Sequence, residues 1–316
     1  MKRFIKSLRK LFRERLNEVD LNALEILLQK ESISIIDLGA AGGIEPRWAK
    51  ISAYLNYFGF EPDSRAIQLD TNKDFKSYTV IPSLVSNKRE IKNLYISREE
   101  GKSSIYQPNN EFISRFPNSR RFETVKTVSL ETATIDTLIK QEIDFIKLDI
   151  QGAELDALEG SQEVLKSVLG IESEVEFMEM YKSQPLFSNV NEFLLKQGFE
   201  FIDFTNLRRW ERDRLGEIGQ CVFGDGLYLR SPEFISSSRY TEIKIRKYIA
   251  ILFLYNRFDL IDVVLRNNPV LASQLNDFYS FLLKKKTRLN FAVKVSVLIQ
   301  KFLSFIGVEF KSQLIY

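Results

Sequence analysis

From Ile33 onward, short apolar runs of strand length alternate with segments of helical periodicity, and this alternation restricts the fold more than any other feature of the chain. "SISIIDLGA" reads as a strand and "EPRWAKISAYL" as the helix behind it. "YFGFEPD" ends a second strand, and "SYTVIPSLVS" follows after a helix of intermediate polarity. "NLYIS" and "ETVKTVSLETATIDTL" bracket a polar insertion over 98–121. Then come "DFIKLDI", a helix, "LGIESEVEF", a helix near 189–197, "FEFIDFTN" and "GQCVFGDGLYLR". Strands separated by helices pair in parallel, whereas the closing pair reads as a hairpin. The pattern therefore predicts a mostly parallel α/β sheet with an antiparallel edge.

The two ends differ from this centre. Residues 1–30 read as a basic amphipathic helix, with Phe4, Ile5, Leu8, Leu11, Phe12 and Leu16 on one face. Such a helix either packs on the domain or lies on an anionic membrane through residues 1–16. Beyond Pro232 the composition turns helical and carries "KKKTR" at 284–288. Three segments result: 1–30, a central domain over 31–232, and a helical appendage over 233–316. The apolar faces of 245–266 and 291–306 suit contact with a second copy.

With 44% hydrophobic residues among 316, the chain can bury a sizeable core. Its longest apolar stretch, "FAVKVSVLIQKFLSFIGVEF", is broken by Lys294 and Lys301, short of the roughly 18 uncharged residues a spanning helix needs. No cleavable signal is read at the N-terminus, and the lone Cys221 fits a reducing compartment, so the cytoplasm is expected. A net charge of +3 gives no argument for a nucleic-acid partner.

The chain contains no histidine. Histidine triads and HExxH metal sites are excluded, and any general base must be a carboxylate, Lys, Tyr or water. In "IIDLGAAGG", Asp37 closes the first strand, and small residues after it let backbone approach a ligand closely. Glu61 stands 24 positions further on, at the end of the second strand, where an acid can bond ribose hydroxyls. No GxGxxG can be drawn and no Tyr-x-x-x-Lys pair is read, which weighs against a nicotinamide oxidoreductase or epimerase. An acid beside the loop suits a ligand with an amino group or positive charge, such as S-adenosylmethionine.

"IDLGAAGGIEPRW", "GFEPD", "TIDTL", "DFIKLDIQGAELDALEG", "SEVEFMEMYKSQPLF", "LLKQGFEFIDF" and "GQCVFGDGLYLR", taken in order, resemble the FkbM-type S-adenosylmethionine-dependent methyltransferases over roughly 33–230. The resemblance implies a Rossmann-like seven-stranded class I methyltransferase sheet with helices on both faces, here with helical N- and C-terminal extensions. It also implies O-methylation of a hydroxyl on a sugar, glycan or other small molecule. Asp37, Gly39, Ala40 and Gly43 match the cofactor loop, and Glu61 matches the ribose acid. Pro62, Ser83, Leu84 and Asp149 complete the expected cofactor contacts. Asp149, Gln151, Gly152 and Glu154 match the family's Asp-x-Glu-Gly-x-Glu block, with Gln151 in place of the usual Glu.

Asp149, at the mouth of its strand, is the first candidate for base or acceptor-orienting group; the alternatives are cofactor binding or pairing with Lys147. Glu154 and Glu174 are the further catalytic candidates, although Glu154 can instead cap the loop. Glu174 lies on a strand face that is either site-facing or merely exposed. Ser103, Ser104, Gln151, Tyr181 and Gln184 are expected substrate contacts. Asp225 in "GDGLYL" reads as a hairpin turn residue first. Asp149, Glu154 and Glu174 have no diagnostic metal spacing, and no metal is expected. A degenerate methyltransferase fold serving as a binding or membrane-docking module is the alternative to an enzyme.

Overall fold

The computed structural model describes residues 21–67, 74–213, 216, 218–237 and 240–282. Residues 1–16 and 291–306, with the membrane and interface readings made for them, lie outside the described residues. The described residues form ten strands: β1 (Ile33–Leu38), β2 (Leu55–Phe60), β3 (Ser77–Ile81), β4 (Leu84–Val85), β5 (Ile91–Ser97), β6 (Thr124–Ala133), β7 (Phe145–Leu148), β8 (Gly170–Glu176), β9 (Glu200–Trp210) and β10 (Gln220–Leu229). Seven build the main sheet in the order β3-β2-β1-β7-β8-β10-β9. The first five pair in parallel, and β10 is antiparallel to both its neighbours. The expected seven-stranded sheet with its antiparallel edge is therefore present.

"SYTVIPSLVS" does not form one strand. It divides into β3, on the main sheet, and β4, which pairs with β6. β4, β5 and β6 make a separate three-stranded sheet, and the polar insertion connects β5 to β6. "EPRWAKISAYL" forms only one helical turn, Pro46–Ala49, and a short 3-10 segment, Ser52–Tyr54. Asp225 lies within β10 opposite Glu174 of β8, so the "GDG" stretch is strand and not turn. The hairpin turn falls after Trp210, ten residues beyond the start of the long β9.

Alternation along β1 sends Ile33 and Ile35 into one core and Ile36 and Leu38 into the other. The second core is covered by the helices Glu154–Glu159 and Phe187–Lys196 through Ala157, Leu158, Val190 and Leu194. The first is covered by Leu21–Leu28, Glu242–Leu254 and Phe258–Asn267. The boundary expected near residue 232 is thus not a boundary in the packing. Tyr248, Ile249, Ile251 and Leu252 share one apolar cluster with Ile33, Ile35 and Leu229. Helical periodicity identified the helices, but not that their apolar faces, including the 245–266 face offered for a second copy, are consumed inside the chain.

Candidate active site

At the carboxyl end of β1 the chain turns through Gly39, with φ +83°, and its N–H bonds the Phe60 carbonyl at 3.0 Å. A Cβ on Gly39 would stand 1.9 Å from the Asp149 carbonyl oxygen, so only glycine permits β1 and β7 to leave the sheet so close together. Gly42, φ +79°, has open space where a Cβ would project. These bare backbone segments form one wall of a cleft of about 370 Å³. Leu38, Phe60 and Leu84 give it apolar surface, while Glu61, Asp63 and Asp149 bring carboxylates to it.

Glu61 Oε1 accepts from the Asp63 N–H at 2.8 Å. Burial pushes the Glu61 carboxyl up to about 7, against the Asp63 N–H bond, and the charges of Asp63, Asp149 and Asp37 add to the rise. Asp63 behaves oppositely: its hydrogen bonds with Arg65, the shortest 2.6 Å, hold it below the usual carboxylate range. Asp63 was not singled out from the sequence, although it follows Glu61 by two positions.

Of the expected cofactor residues, Gly39, Glu61, Pro62, Ser83, Leu84 and Asp149 line this cleft. Ala40 and Gly43 shape the turn, and Ala41 and Gly42 line the cleft instead. Asp37 is placed elsewhere. Its side chain faces away from the cleft, bonded by the Tyr57 hydroxyl at 2.9 Å and paired with Lys147 at 3.4 Å. The alternation of β1 explains this, because Leu38 and Asp37 must point to opposite faces. Burial raises the Asp37 carboxyl despite Lys147 and Tyr57.

The strand mouth that crowds Lys147, Asp149, Gln151 and Glu154 resolves into distinct tasks. Gln151 sits at φ 58° and Gly152 at φ 92°, consecutive left-handed residues that turn the chain sharply out of β7. For Gln151 this costs roughly 1–3 kcal/mol, and four contacts hold it there. Its Nε2 donates to Asp149 Oδ1 at 2.8 Å and Glu174 Oε1 at 3.1 Å. Its Oε1 accepts from the Tyr181 hydroxyl at 2.9 Å, and its carbonyl accepts from the Ser104 hydroxyl at 2.7 Å. An amide suits this position, since its NH₂ donates to two carboxylates while its oxygen accepts from the Tyr181 hydroxyl.

Glu154 Oε1 accepts from the Ile150 N–H at 2.8 Å and staples the loop from behind. Burial pushes its carboxyl up to about 8. All seven residues of β8 are buried, so the exposed reading of its acidic face does not hold. Burial, followed by the charges of Asp149 and Glu176, drives Glu174 well above the carboxylate range. Burial, followed by Glu154, does the same to Glu176. Glu172 bonds the Tyr255 hydroxyl at 2.8 Å and pairs with Arg47 at 3.3 Å, a structural junction between the sheet and the last helices.

Ser103 and Ser104 line the first cleft, tying the polar insertion to it. Tyr181 and Gln184 line neither this cleft nor the one beside it. Tyr181 braces Gln151, and Gln184 packs on Gly152 and accepts from the Tyr181 N–H at 2.5 Å. They support the site from outside.

A second cleft, of about 760 Å³, opens on the other side of Asp149. Asp149, Glu174 and Asp225 line it, together with Asn206, whose Nδ2 donates to Asp225 Oδ2 at 3.0 Å. Burial pushes the Asp225 carboxyl up to about 6. Phe116, Phe122 and Phe223 surround Trp210, with ring centroids 5.2, 5.7 and 6.1 Å from it. This wall was not read from the sequence. Its only trace is the mixed aromatic and basic residues of "RFPNSRRF" and "RRW", a pattern that ordinary surface strands share. Asp149, Lys102 and Glu99 belong to both clefts. Among the described residues, no group of three or more candidate ligands could hold a metal ion.

The first cleft fits S-adenosylmethionine on its own chemistry. Bare glycine backbone admits a close ligand, Glu61 can accept from ribose hydroxyls, apolar walls suit a base, and the acids suit a cationic sulfonium and ammonium. The family comparison agrees. The family model of the FkbM methyltransferase domain matches residues 37–201. A methyltransferase FkbM from Methylobacillus flagellatus KT has 17% identity and a TM-score of 0.36, covering 63% of this chain. This chain spans 43% of the length of that protein. A magnesium protoporphyrin IX methyltransferase from Synechocystis PCC 6803, solved with bound S-adenosylmethionine, has 8% identity and a TM-score of 0.35, covering 72% of this chain and 84% of its own. No curated protein matches the sequence. With its family match spanning more than half of its length, the chain belongs to the FkbM methyltransferase family, whose methyl donor is S-adenosylmethionine.

Proposed function

We propose that this protein transfers a methyl group to a hydroxyl oxygen of a sugar, glycan or other small molecule, with the donor in the glycine-walled cleft and the acceptor in the aromatic one. The observation that carries the reading is the position of Asp149 on the seam between the two clefts. S-adenosylmethionine supplies, when bound, an electrophilic methyl on a sulfonium. Gly39, Gly42, Glu61, Pro62 and Leu84 would hold it.

The chain's own residues supply alignment and a proton acceptor. Asp149 Oδ1 is fixed by Gln151, and Oδ2 has no hydrogen-bond partner among the described residues. An acceptor hydroxyl would donate to Oδ2, which orients its lone pair and takes its proton as the new bond forms. Glu174, its carboxyl driven up by burial, can hold a neighbouring hydroxyl of the acceptor in its protonated form, and Asp225 can accept from another. Gln151 is a positioning residue, because it sets the Asp149 carboxylate without reaching the acceptor's cleft.

The test measures S-adenosylmethionine binding by calorimetry, then S-adenosylhomocysteine release across a panel of hydroxylated acceptors. Turnover lowered by roughly 10²–10⁴-fold in Asp149→Asn, with donor binding retained, is the expected result. Turnover that survives this substitution would remove Asp149 from the chemistry, and failure to bind the donor would remove the reading.

A further inference from the structure

The second cleft changes character with depth. Its floor is acidic and buried: Glu174 is 4% exposed, and Asp149 and Asp225 are partly covered beside it. Its rim is basic: Arg208 and Arg209 are both exposed, and a register shift in the β9–β10 pairing lets these neighbours both line the cleft. Neither forms an ion pair among the described residues, and the same holds for Lys102. Arg121 lies between rim and wall, its guanidinium 5.1 Å from the Trp210 ring and 4.9 Å from the Phe122 ring. Its Nε is buried with no hydrogen-bond partner. Beside the cleft, this donor is one that an acceptor atom of a ligand can satisfy. Glu99 and Glu211 also line the cleft, so with the floor acids Asp149, Glu174 and Asp225 its five carboxyls face four cations, of which Arg208 and Arg209 are exposed.

We propose that the acceptor of this cleft bears a phosphate group: hydroxyls toward the buried carboxylates, a ring on the Trp210 wall, and the phosphate at the rim against Arg208, Arg209 and Arg121. The proposal rests on the methyl-transfer reading above and names its acceptor class. Paired guanidiniums match phosphate oxygens in bidentate, charge-assisted fashion, whereas a neutral glycan offers them only uncharged acceptors. The phosphate belongs either to a soluble phosphorylated sugar or to a lipid headgroup.

The test is ligand-observed binding in the presence of S-adenosylhomocysteine, with glucose 1-phosphate, neutral methyl glucoside and phosphatidylglycerol vesicles as probes. The unmodified protein is compared with Arg208→Gln/Arg209→Gln, two exposed substitutions. The expected result is tenfold or stronger binding of the phosphorylated sugar than of the neutral one, a preference weakened by salt and removed by the double substitution. Binding of the vesicles alone, lost in the double variant, assigns the phosphate to a lipid headgroup and also supports the proposal. Equal binding of charged and neutral probes overturns it, as does phosphate binding indifferent to the substitution or no phosphate-probe binding at all. Retained S-adenosylmethionine binding in those cases leaves the methyltransferase reading intact. Its absence from the unmodified protein would remove both.

Discussion

Strand β7 is flanked by an aspartate at each end, and the two live in opposite electrostatic worlds. Asp144, at the amino end, is 1% exposed and saturated: Lys244 lies at 2.7 Å, Lys247 at 3.0 Å, and the Ser34 N–H at 2.9 Å. Asp149, at the carboxyl end, meets one amide from Gln151 and raises the carboxyls of Glu61, Glu154, Glu174 and Asp225. One end spends its charges on holding the last helices to the sheet. The other gathers acids that repel one another, which costs stability and leaves a carboxylate oxygen for chemistry.

That contrast breaks first under Asp149→Asn. Removing the proton acceptor should lower turnover by roughly 10²–10⁴-fold, read as S-adenosylhomocysteine release. Thermal stability should hold or rise, since one like charge leaves the cluster. A loss of folding instead would show that Asp149 is structural and the contrast false.

Asp144→Asn should do the reverse. Two lysines lose their buried partner, with a cost of roughly 3–5 kcal/mol in denaturant unfolding. Turnover per folded molecule should stay unchanged. A stable Asp144→Asn protein would mean the amino-end pairs contribute little.

Glu61→Gln sharpens the acidic end by separating donor binding from chemistry. The loss of charge-assisted hydrogen bonds to the donor should weaken its binding by about 10–100-fold in a calorimetric titration. Acceptor binding should not change. Equal donor affinity in this variant would place the ribose elsewhere.

The acidic end also makes stability depend on pH. Glu61 titrates near 7 and Glu154 near 8 in the folded chain, against about 4.5 for both when unfolded. The folded protein therefore keeps protons that the unfolded chain has lost, and stability falls as pH rises from about 4.5 to 8. The slope is about 1.4 kcal/mol per pH unit for each such proton at most. Melting temperature of the ligand-free protein measured across this range should decline, and Glu154→Gln should flatten the decline. A melting temperature that climbs from pH 5 to 8 would contradict the assignment.

Local patterns in the chain were enough to place most strands of the main sheet and the glycine wall of the first cleft. Apolar runs of strand length, glycines at a βα turn and an acid at the next strand end are local patterns, and backbone sterics translate them directly into elements and their mouths. They also marked the β7 exit, because Gln151-Gly152 must turn sharply and Glu154 stands one step behind. Which side chains meet depended on packing between distant segments. Alternation places Asp37 behind the cleft with Lys147 and Tyr57, whereas its closeness to the glycines in sequence suggested the opposite. Packing drew helices beyond residue 232 into the same core as β1, because an apolar helix face looks alike whether it meets a sheet or another chain. The aromatic wall joins Phe116, Phe122, Trp210 and Phe223 from two distant segments, and the second cleft exists only once β9 and the polar insertion face each other across β10. Contacts of that range leave no periodic trace in the chain, since nothing local repeats when two separated segments meet.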